Sequence, residues 1–263
     1  MRRLAIVIVM AILAAACSSS GDELAAESAR AGGVLADRTP ETTATQPVVT
    51  VPPPPATSAE TPGVIVGHVV GGAITAHAEA SADSAVVAEL SNPTEVGGPL
   101  AFRLVDSAVP TGAWTEVHLP VRPNGTTGYV PTERLQLTRN PYRISIDRAA
   151  HQLQVHVGDE LWIDTLVAIG TGNTPTPVGS FYIIELLQPP SPNGVYGPFA
   201  FGLSGFSETL TSFAGGDGVI GIHGTNDPGA IGSDVSHGCV RVHNDVISTL
   251  AGVIPLGTPV VIT

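Results

Sequence analysis

The sequence predicts a mostly β protein with two folded regions. Short β-prone runs separated by turn residues recur from residue 63 to residue 137, which suggests a small β-barrel. A second series of such runs extends from residue 140 to residue 263. Helical periodicity is clear only in "NDVISTLAGV", residues 244–253. We therefore expect one or two short helices in a chain that is otherwise built of strands.

The first 17 residues are typical of an export signal. Two arginines precede an apolar run from Leu4 to Ala16, and its 13 residues are fewer than the about 20 that span a membrane. The stretch "LAAAC" resembles a bacterial lipobox, with Ala14 where leucine is usual. The resemblance implies that Cys17 is lipidated and anchors the protein to a membrane. The alternative is an ordinary cleaved signal with an incidental cysteine.

Residues 18–62 are predicted to be a disordered linker. Pro, Thr, Ala and Ser dominate this stretch, and it has no amphipathic period that could form a core. Its "PPPP" run favours an extended polyproline II conformation. Such a segment serves either as a tether that lifts the folded region off a membrane or as a plain linker.

The first folded region, residues 63–137, has the alternation of half-buried strands. Trp114, Glu116 and His118 alternate with residues that suit the opposite face. A tryptophan strand followed by the Gly128–Val130 strand resembles bacterial SH3-like domains. The alternative is a generic small β-domain that only positions its neighbour.

The second folded region, residues 140–263, has five strand-like runs and one helix, for which Asn244 or Asp245 is the expected N-cap. The runs are "YRISIDRAAHQLQVHV", "LWIDTLVAIG", "GSFYIIELL", "GVIGIHG" and "GTPVVIT". Residues 187–218 form a long stretch rich in Gly, Pro and Ser that also contains aromatic residues. We expect this stretch to be a lid that packs on a site.

Charge and cysteine content restrict the class of function. The net charge is -12, and all 11 basic residues are arginines, so charge-driven binding of nucleic acid is not expected. An exported chain usually pairs its cysteines. Because Cys17 is predicted to be lipidated or removed, Cys239 has no partner in the mature chain. A lone exported cysteine indicates either intermolecular pairing or a reactive thiol.

The stretch "GIHGTNDPGAIGSDVSHGCVR" places the components of a thiol site near one another. If "GVIGIHG" and "SHGCVR" are neighbouring strands, His223 can approach the sulfur of Cys239. A histidine bonded to a cysteine lowers the pKa of the thiol and shuttles its proton. Glycines beside the nucleophile let a carbonyl approach, and the N–H groups of Gly238 and Cys239 are candidates for an oxyanion hole.

The same stretch, continued to Val246, resembles the core motif of the L,D-transpeptidases of the YkuD type. That family has an HGT-like segment followed by S-H-G-C, a branched residue and arginine; here Val242 follows the arginine where Leu or Met is common. A second matching segment is "AIGTGNTPTPVGSFYI", and the closing "GTPVVIT" also fits. The resemblance implies a mostly β, sandwich-like catalytic domain over residues 140–263. It implies a location in the cell envelope, where the substrate is peptidoglycan.

The resemblance also implies roles for individual residues. Cys239 is the nucleophile, His223 is the general base and acid, and the backbone carbonyl of Gly224 orients the histidine. Arg241 would hold a carboxylate of a stem peptide. The other expected substrate-binding residues are Ser236, His237, Gly238 and Tyr196, the last of them in the predicted lid. The family needs neither a metal nor another cofactor, and carbapenems acylate it.

The implied reaction joins the third residues of two stem peptides through a cysteine thioester, with release of D-Ala. With water as acceptor the enzyme would be an L,D-carboxypeptidase, and with a protein amine it would attach proteins to the wall. An alternative from a different functional class is a wall-binding module without catalytic activity. A cysteine peptidase or amidase is a further alternative.

Other interpretations of these site residues and of the remaining histidines also stay open. Cys239 could be a core residue or a zinc ligand beside the two histidines. Arg241 could pair with Asp234 or Asp245. We read Asp227 and Asp234 as turn residues. The other histidines (68, 77, 118, 151, 156 and 243) are read as ordinary strand or surface residues.

Overall fold

The structure, a computed structural model, describes residues 49–211 and 217–263. The predicted signal peptide, the lipidation site Cys17 and the linker up to residue 48 lie outside the described residues. Short 3₁₀ turns lie at Thr132–Arg134 and Pro228–Ala230. The other elements, in chain order, are β1 (Val64–Val69), β2 (Ile74–His77), β3 (Val86–Leu90), β4 (Ala101–Arg103), β5 (Trp114–His118), β6 (Thr127–Pro131), β7 (Leu135–Asn140), β8 (Tyr142–Asp147), β9 (Gln152–Val157), β10 (Glu160–Leu166), β11 (Ile169–Gly170), β12 (Gly179–Leu187), β13 (Ala200–Phe206), β14 (Val219–His223), β15 (Asp234–Ser236), β16 (Val240–Arg241), α1 (Asn244–Ala251) and β17 (Pro259–Ile262).

Strands β1–β7 form two small sheets around one apolar cluster. One sheet has the order β4-β1-β7 and the other β3-β2-β6-β5. The predicted alternation holds in β5, where Thr115 and Val117 are buried while their neighbours are half-exposed. Phe102, Val117 and Val130 are fully buried in the cluster between the sheets. The resemblance of this region to SH3-like domains stays a prediction.

The C-terminal region is built on one eight-stranded sheet, which positions the later strands of the chain. Its order is β10-β9-β8-β17-β12-β13-β14-β16. The helix α1 buries Val246, Ile247 and Leu250 in the same apolar cluster as the sheet. The prediction of a mostly β chain is confirmed, with a single α-helix in the described part.

The predicted lid at residues 187–218 is partly wrong, because β13 runs through it between β12 and β14. The sequence of β13 does not show a strand pattern because it contains Gly202, Ser204 and Gly205. These small residues are required by packing. A side chain at Gly202 would collide with Glu185, and one at Gly205 would lie 2.5 Å from the ring of Phe181. The part of the stretch before β13 remains a loop.

The expected N-cap of α1 is also wrong. His243 occupies the N-cap position and makes no side-chain capping bond. The side chain of Asn244 instead turns to the end of β14, where its Oδ1 accepts a hydrogen bond from Thr225 N at 2.8 Å. The asparagine therefore joins the helix to the segment that follows β14.

Side chains from β1–β7 and their loops contact the C-terminal sheet directly. Arg122 donates to the carbonyl oxygens of Ser207 and Asp217, at 3.0 and 2.9 Å. Tyr182 OH donates to His118 O at 2.9 Å. His118, the last residue of β5, also has Arg103 Nη2 at 2.6 Å from its Nε2. These contacts join the β1–β7 region to the C-terminal sheet and its loops.

Residues 49–62 have no regular secondary structure, yet some of them contact the C-terminal region. Val49 and Val51 are half-buried against its apolar cluster. The expectation of a disordered linker therefore does not hold for this end of the segment. Across the described ranges, no helix has both the length and the apolar character needed to cross a membrane.

Candidate active site

The ends of two neighbouring strands form a cavity of about 200 Å³ in the C-terminal region. Strands β14 and β16 are parallel neighbours, with Ile222 opposite Val240 and His223 opposite Arg241. Cys239 directly precedes β16, so the pairing brings it to the end of the strand that carries His223. The cavity is lined by Val195, Tyr196, His223, Ser236, His237, Cys239 and Arg241.

His223 is buried and oriented as a base. Its Nδ1 lies 2.6 Å from the carbonyl oxygen of Gly224. Because a carbonyl can only accept, Nδ1 carries the proton and Nε2 keeps its lone pair. Burial lowers the pKa of His223 to about 4, and the Gly224 bond raises it less than burial lowers it, while nearby Arg241 lowers it further. The imidazole is therefore neutral near pH 7.

Cys239 is a half-buried free thiol on the turn between β15 and β16. Burial raises the pKa of the thiol, while a backbone hydrogen bond with Gly221 and the charge of Arg241 act against that rise. The resting side chain is consequently a protonated thiol, which becomes a nucleophile when a neutral base accepts its proton.

Ser236 closes the turn that presents the thiol. Its Oγ donates to Cys239 O at 2.5 Å and accepts from Gly238 N at 3.1 Å. Gly238 has a φ of +119°, a conformation that favours glycine. The expectation that Gly238 N–H is free for an oxyanion is wrong, because Ser236 already occupies that donor. The N–H of Cys239 is the candidate that remains.

Arg241 is anchored by its backbone while its head group faces the cavity. Its N and O both bond Ala168 of the neighbouring segment, at 2.8 and 2.9 Å. Its buried Nε has no hydrogen-bond acceptor among the described residues. Neither of the two ion pairs found in the described ranges involves Arg241, and Asp234 instead pairs with His151 at 2.7 Å. The guanidinium is therefore available for a ligand's carboxylate.

Tyr196 covers the histidine from the loop before β13. Its ring is 4.9 Å from that of His223 in an edge-on arrangement. His237 lies exposed at the rim of the same cavity. The other predicted residues of the site thus line one cavity, and Gly224 and Gly238 are their neighbours in the sequence.

Two supports of the site were not predicted. Thr171 N and Thr174 Oγ1 both donate to Ser236 O, at 3.0 and 3.2 Å. Asn244 packs so closely on Gly224 that a Cβ at the glycine would collide with the amide oxygen. The threonines lie in the segment "AIGTGNTPTPVGSFYI", which matches the family motif. That match marked the segment but did not indicate that the threonines bond Ser236. The local pattern around Asn244 suggests only a helix N-cap and does not indicate its contact with Gly224.

Comparisons with known proteins place this site in a family. Residues 141–262 match the YkuD family, described as the L,D-transpeptidase catalytic domain. YqjB from Bacillus subtilis, which is named as an L,D-transpeptidase, is 31% identical over 140 residues, covering 48% of this chain and 73% of that relative. This chain belongs to the L,D-transpeptidase family.

Other relatives and solved structures are also similar to this L,D-transpeptidase homologue. YkuD from Bacillus licheniformis, also named as an L,D-transpeptidase, is 37% identical over 123 residues, covering 47% of this chain and 66% of the relative, just under two thirds. A solved structure of L,D-transpeptidase 3 from Mycobacterium tuberculosis with a faropenem-derived adduct is 13% identical, with a TM-score of 0.40, covering 62% of this chain and 91% of that one. Cys239 lies within the part that matches the family.

Proposed function

We propose that this protein is a peptidoglycan L,D-transpeptidase that works through a thioester on Cys239. One observation carries the proposal: a half-buried thiol and a neutral histidine, whose Nδ1–H is fixed by Gly224 O, share a cavity with an available guanidinium. A wall-binding module has no need of an oriented base next to a thiol.

In the acylation step, Cys239 Sγ attacks the carbonyl carbon between the third stem residue and the following D-Ala. The thiol proton moves to Nε2 of His223 as the C–S bond forms. The resulting tetrahedral adduct collapses, the C–N bond breaks, and His223 returns the proton to the amine of the departing D-Ala. The product is a thioester on Cys239.

In the transfer step, the side-chain amine of a second stem peptide attacks the thioester carbonyl. His223 accepts a proton from this amine and returns it to the sulfur as the C–S bond breaks. The result is a cross-link between two third residues. Because the thioester conserves the energy of the broken amide, neither a metal nor ATP enters the balance.

The surrounding residues would bind and orient the substrate. Arg241 is suited to a carboxylate of the donor stem, since a guanidinium forms paired hydrogen bonds with it. The N–H of Cys239 would stabilise the oxyanion of the adduct. Ser236 and Gly238 shape the turn below the thiol, His237 lines the rim, and Tyr196 covers His223.

The proposed substrate requires a location outside the cytoplasmic membrane, facing the cell wall. An export signal and a lipid on Cys17 would supply both the route and the anchor. Residues 63–137 and 140–263 would be the SH3-like and catalytic domains. The partners would be stem peptides, and carbapenems would act as inhibitors.

The first test is intact-mass spectrometry of the purified protein after incubation with a carbapenem. We expect a mass increase of one opened lactam that maps to Cys239 and vanishes in Cys239→Ala. His223→Ala should retain the thiol but form the adduct far more slowly. A folded, reduced wild-type protein that forms no adduct would contradict the proposal and favour a wall-binding module.

A second assay separates the possible acceptors. Incubation with a tetrapeptide donor, with and without a second stem peptide carrying a free side-chain amine, should give a cross-linked dimer in the first case. If both incubations yield only the tripeptide, the enzyme is an L,D-carboxypeptidase. A dimer that forms equally in Cys239→Ala would contradict the thioester route.

A further inference from the structure

Part of the predicted linker is docked on the C-terminal region. We call residues 49–55 the strap. The backbone N–H of Val49 donates to Asp245 Oδ2 at 3.2 Å, at the start of α1. Three residues further, Trp162 Nε1 on β10 donates to the carbonyl oxygen of Pro52 at 2.8 Å. The strap thus makes polar contacts with two elements that are far apart in the chain.

Apolar contacts accompany these bonds. Val49 and Val51 are half-buried against the apolar cluster of the C-terminal region, while Thr50 between them is exposed. Trp162 is only 7% exposed and lies beside Tyr142, with ring centroids 6.2 Å apart. The strap therefore bonds one member of an aromatic pair, and its valines at alternate positions pack on the apolar cluster that contains Trp162.

The chemistry of the segment fits this surface. A run of prolines is already extended, so that binding costs it little conformational entropy. Prolines have no N–H, and their carbonyl oxygens are the only backbone groups that can bond a partner. A tryptophan N–H beside aromatic rings is the kind of surface that binds polyproline II segments.

We propose that the Tyr142–Trp162 surface is a binding site for a polyproline II segment, and that its ligand is the strap of the same chain. The contact determines where the N-terminal segment joins the folded region. The N-terminal segment joins at the first turn of α1. This position is beside Asn244, which packs on Gly224 of the candidate active site. Docking also shortens the free part of the N-terminal tether. Residues 49–62 would span about 40 Å if fully extended at 3.1 Å per residue, and docking makes this length unavailable to the tether.

The test measures the solvent access of Trp162 in the full-length chain. The chain has two tryptophans, so Trp114→Phe leaves Trp162 as the sole reporter. In this background we expect Val51→Asp to release the strap, because it places a charge against the apolar cluster. Release should shift the Trp162 emission to longer wavelength and raise its acrylamide quenching several-fold.

Thr50→Asp is the matched control. It adds the same charge one residue away, on the exposed side of the strap, and should leave emission and quenching unchanged. Hydrogen exchange supplies a second reading: the amide of Val49 should be protected in the background chain and in Thr50→Asp, and lose protection in Val51→Asp. Equal quenching and exchange in all three proteins would overturn the proposal. So would an equal release by both substitutions. Neither reading depends on enzymatic activity.

Discussion

At the scale of single residues, the site depends on the protonation states of His223 and Cys239. Burial disfavours the charged form of both groups, so the pKa of the histidine falls while that of the thiol rises. The pair therefore rests as imidazole and thiol rather than as imidazolium and thiolate. The bond from Nδ1 to Gly224 O leaves Nε2 as the one nitrogen that can accept the thiol proton.

This pairing predicts the pH dependence of acylation. The reactive form needs neutral His223, whose pKa is about 4. D-Ala release from a tetrapeptide donor should thus be nearly independent of pH from 6 to 8 in single-turnover measurements. It should fall roughly tenfold per pH unit once the pH is below that pKa. A rate that rises steadily between pH 6 and 8 would instead identify a freely ionised thiolate as the nucleophile, with no base required.

Arg241 gives a second prediction at this scale. Arg241→Gln should lower kcat/KM for the tetrapeptide donor by about 10- to 100-fold, the usual effect of losing a charged hydrogen bond. Arg241→Lys should lose less, because it keeps the charge but not the planar fork. Donors whose carboxylates are amidated one at a time provide the control. With one of these donors, the wild-type protein should react no faster than Arg241→Gln. If Arg241→Gln stays slower than the wild type with every amidated donor, carboxylate binding by Arg241 is contradicted.

At the scale of elements, the sequence allowed most strands and the proximity of His223 to Cys239 to be predicted, because alternation and the His-to-Cys motif are local signals. The position of β13 was not predictable in this way. Its Gly202 and Gly205 are dictated by Glu185 and Phe181, which belong to another strand. The role of Asn244 was missed for the same kind of reason, since an asparagine at a helix start suggests a cap and its partner Thr225 is distant in sequence.

The contact between α1 and the end of β14 predicts that Gly224 tolerates no side chain. A methyl group there would meet the Asn244 amide and lie 3.0 Å from both Gly197 Cα and Pro198 Cδ. Gly224→Ala should therefore displace the carbonyl that orients His223, and acylation by a carbapenem should slow by at least about tenfold. Gly172→Ala is the matched control, because a Cβ at Gly172 meets nothing within 4 Å. Equal acylation rates for both variants would show that the carbonyl position is not critical.

At the scale of the whole molecule, the region of β1–β7 supports a loop of the C-terminal sheet. Arg122 donates to the carbonyls of Ser207, Leu210 and Asp217, and its guanidinium lies 4.7 Å from the ring centroid of Phe206. Asn124 both donates to and accepts from the backbone of Phe206, at 2.9 Å in each direction. These bonds hold the segments on either side of residues 212–216, between β13 and β14, and β14 carries His223.

Arg122→Ala tests whether the β1–β7 region stabilises the segments between β13 and β14. Removing the guanidinium leaves three carbonyls without their donor, so the free energy of unfolding should fall by about 1–3 kcal/mol. Hydrogen exchange should quicken at Leu210, whose amide bonds Ser207 Oγ. Arg134 is a suitable control: it also donates to three carbonyls, those of Val70, Gly72 and Ala73, all within the β1–β7 region. Arg134→Ala should destabilise the protein without changing exchange at Leu210. If both variants quicken that exchange equally, the loop responds to global stability, and Arg122 has no local role in holding it.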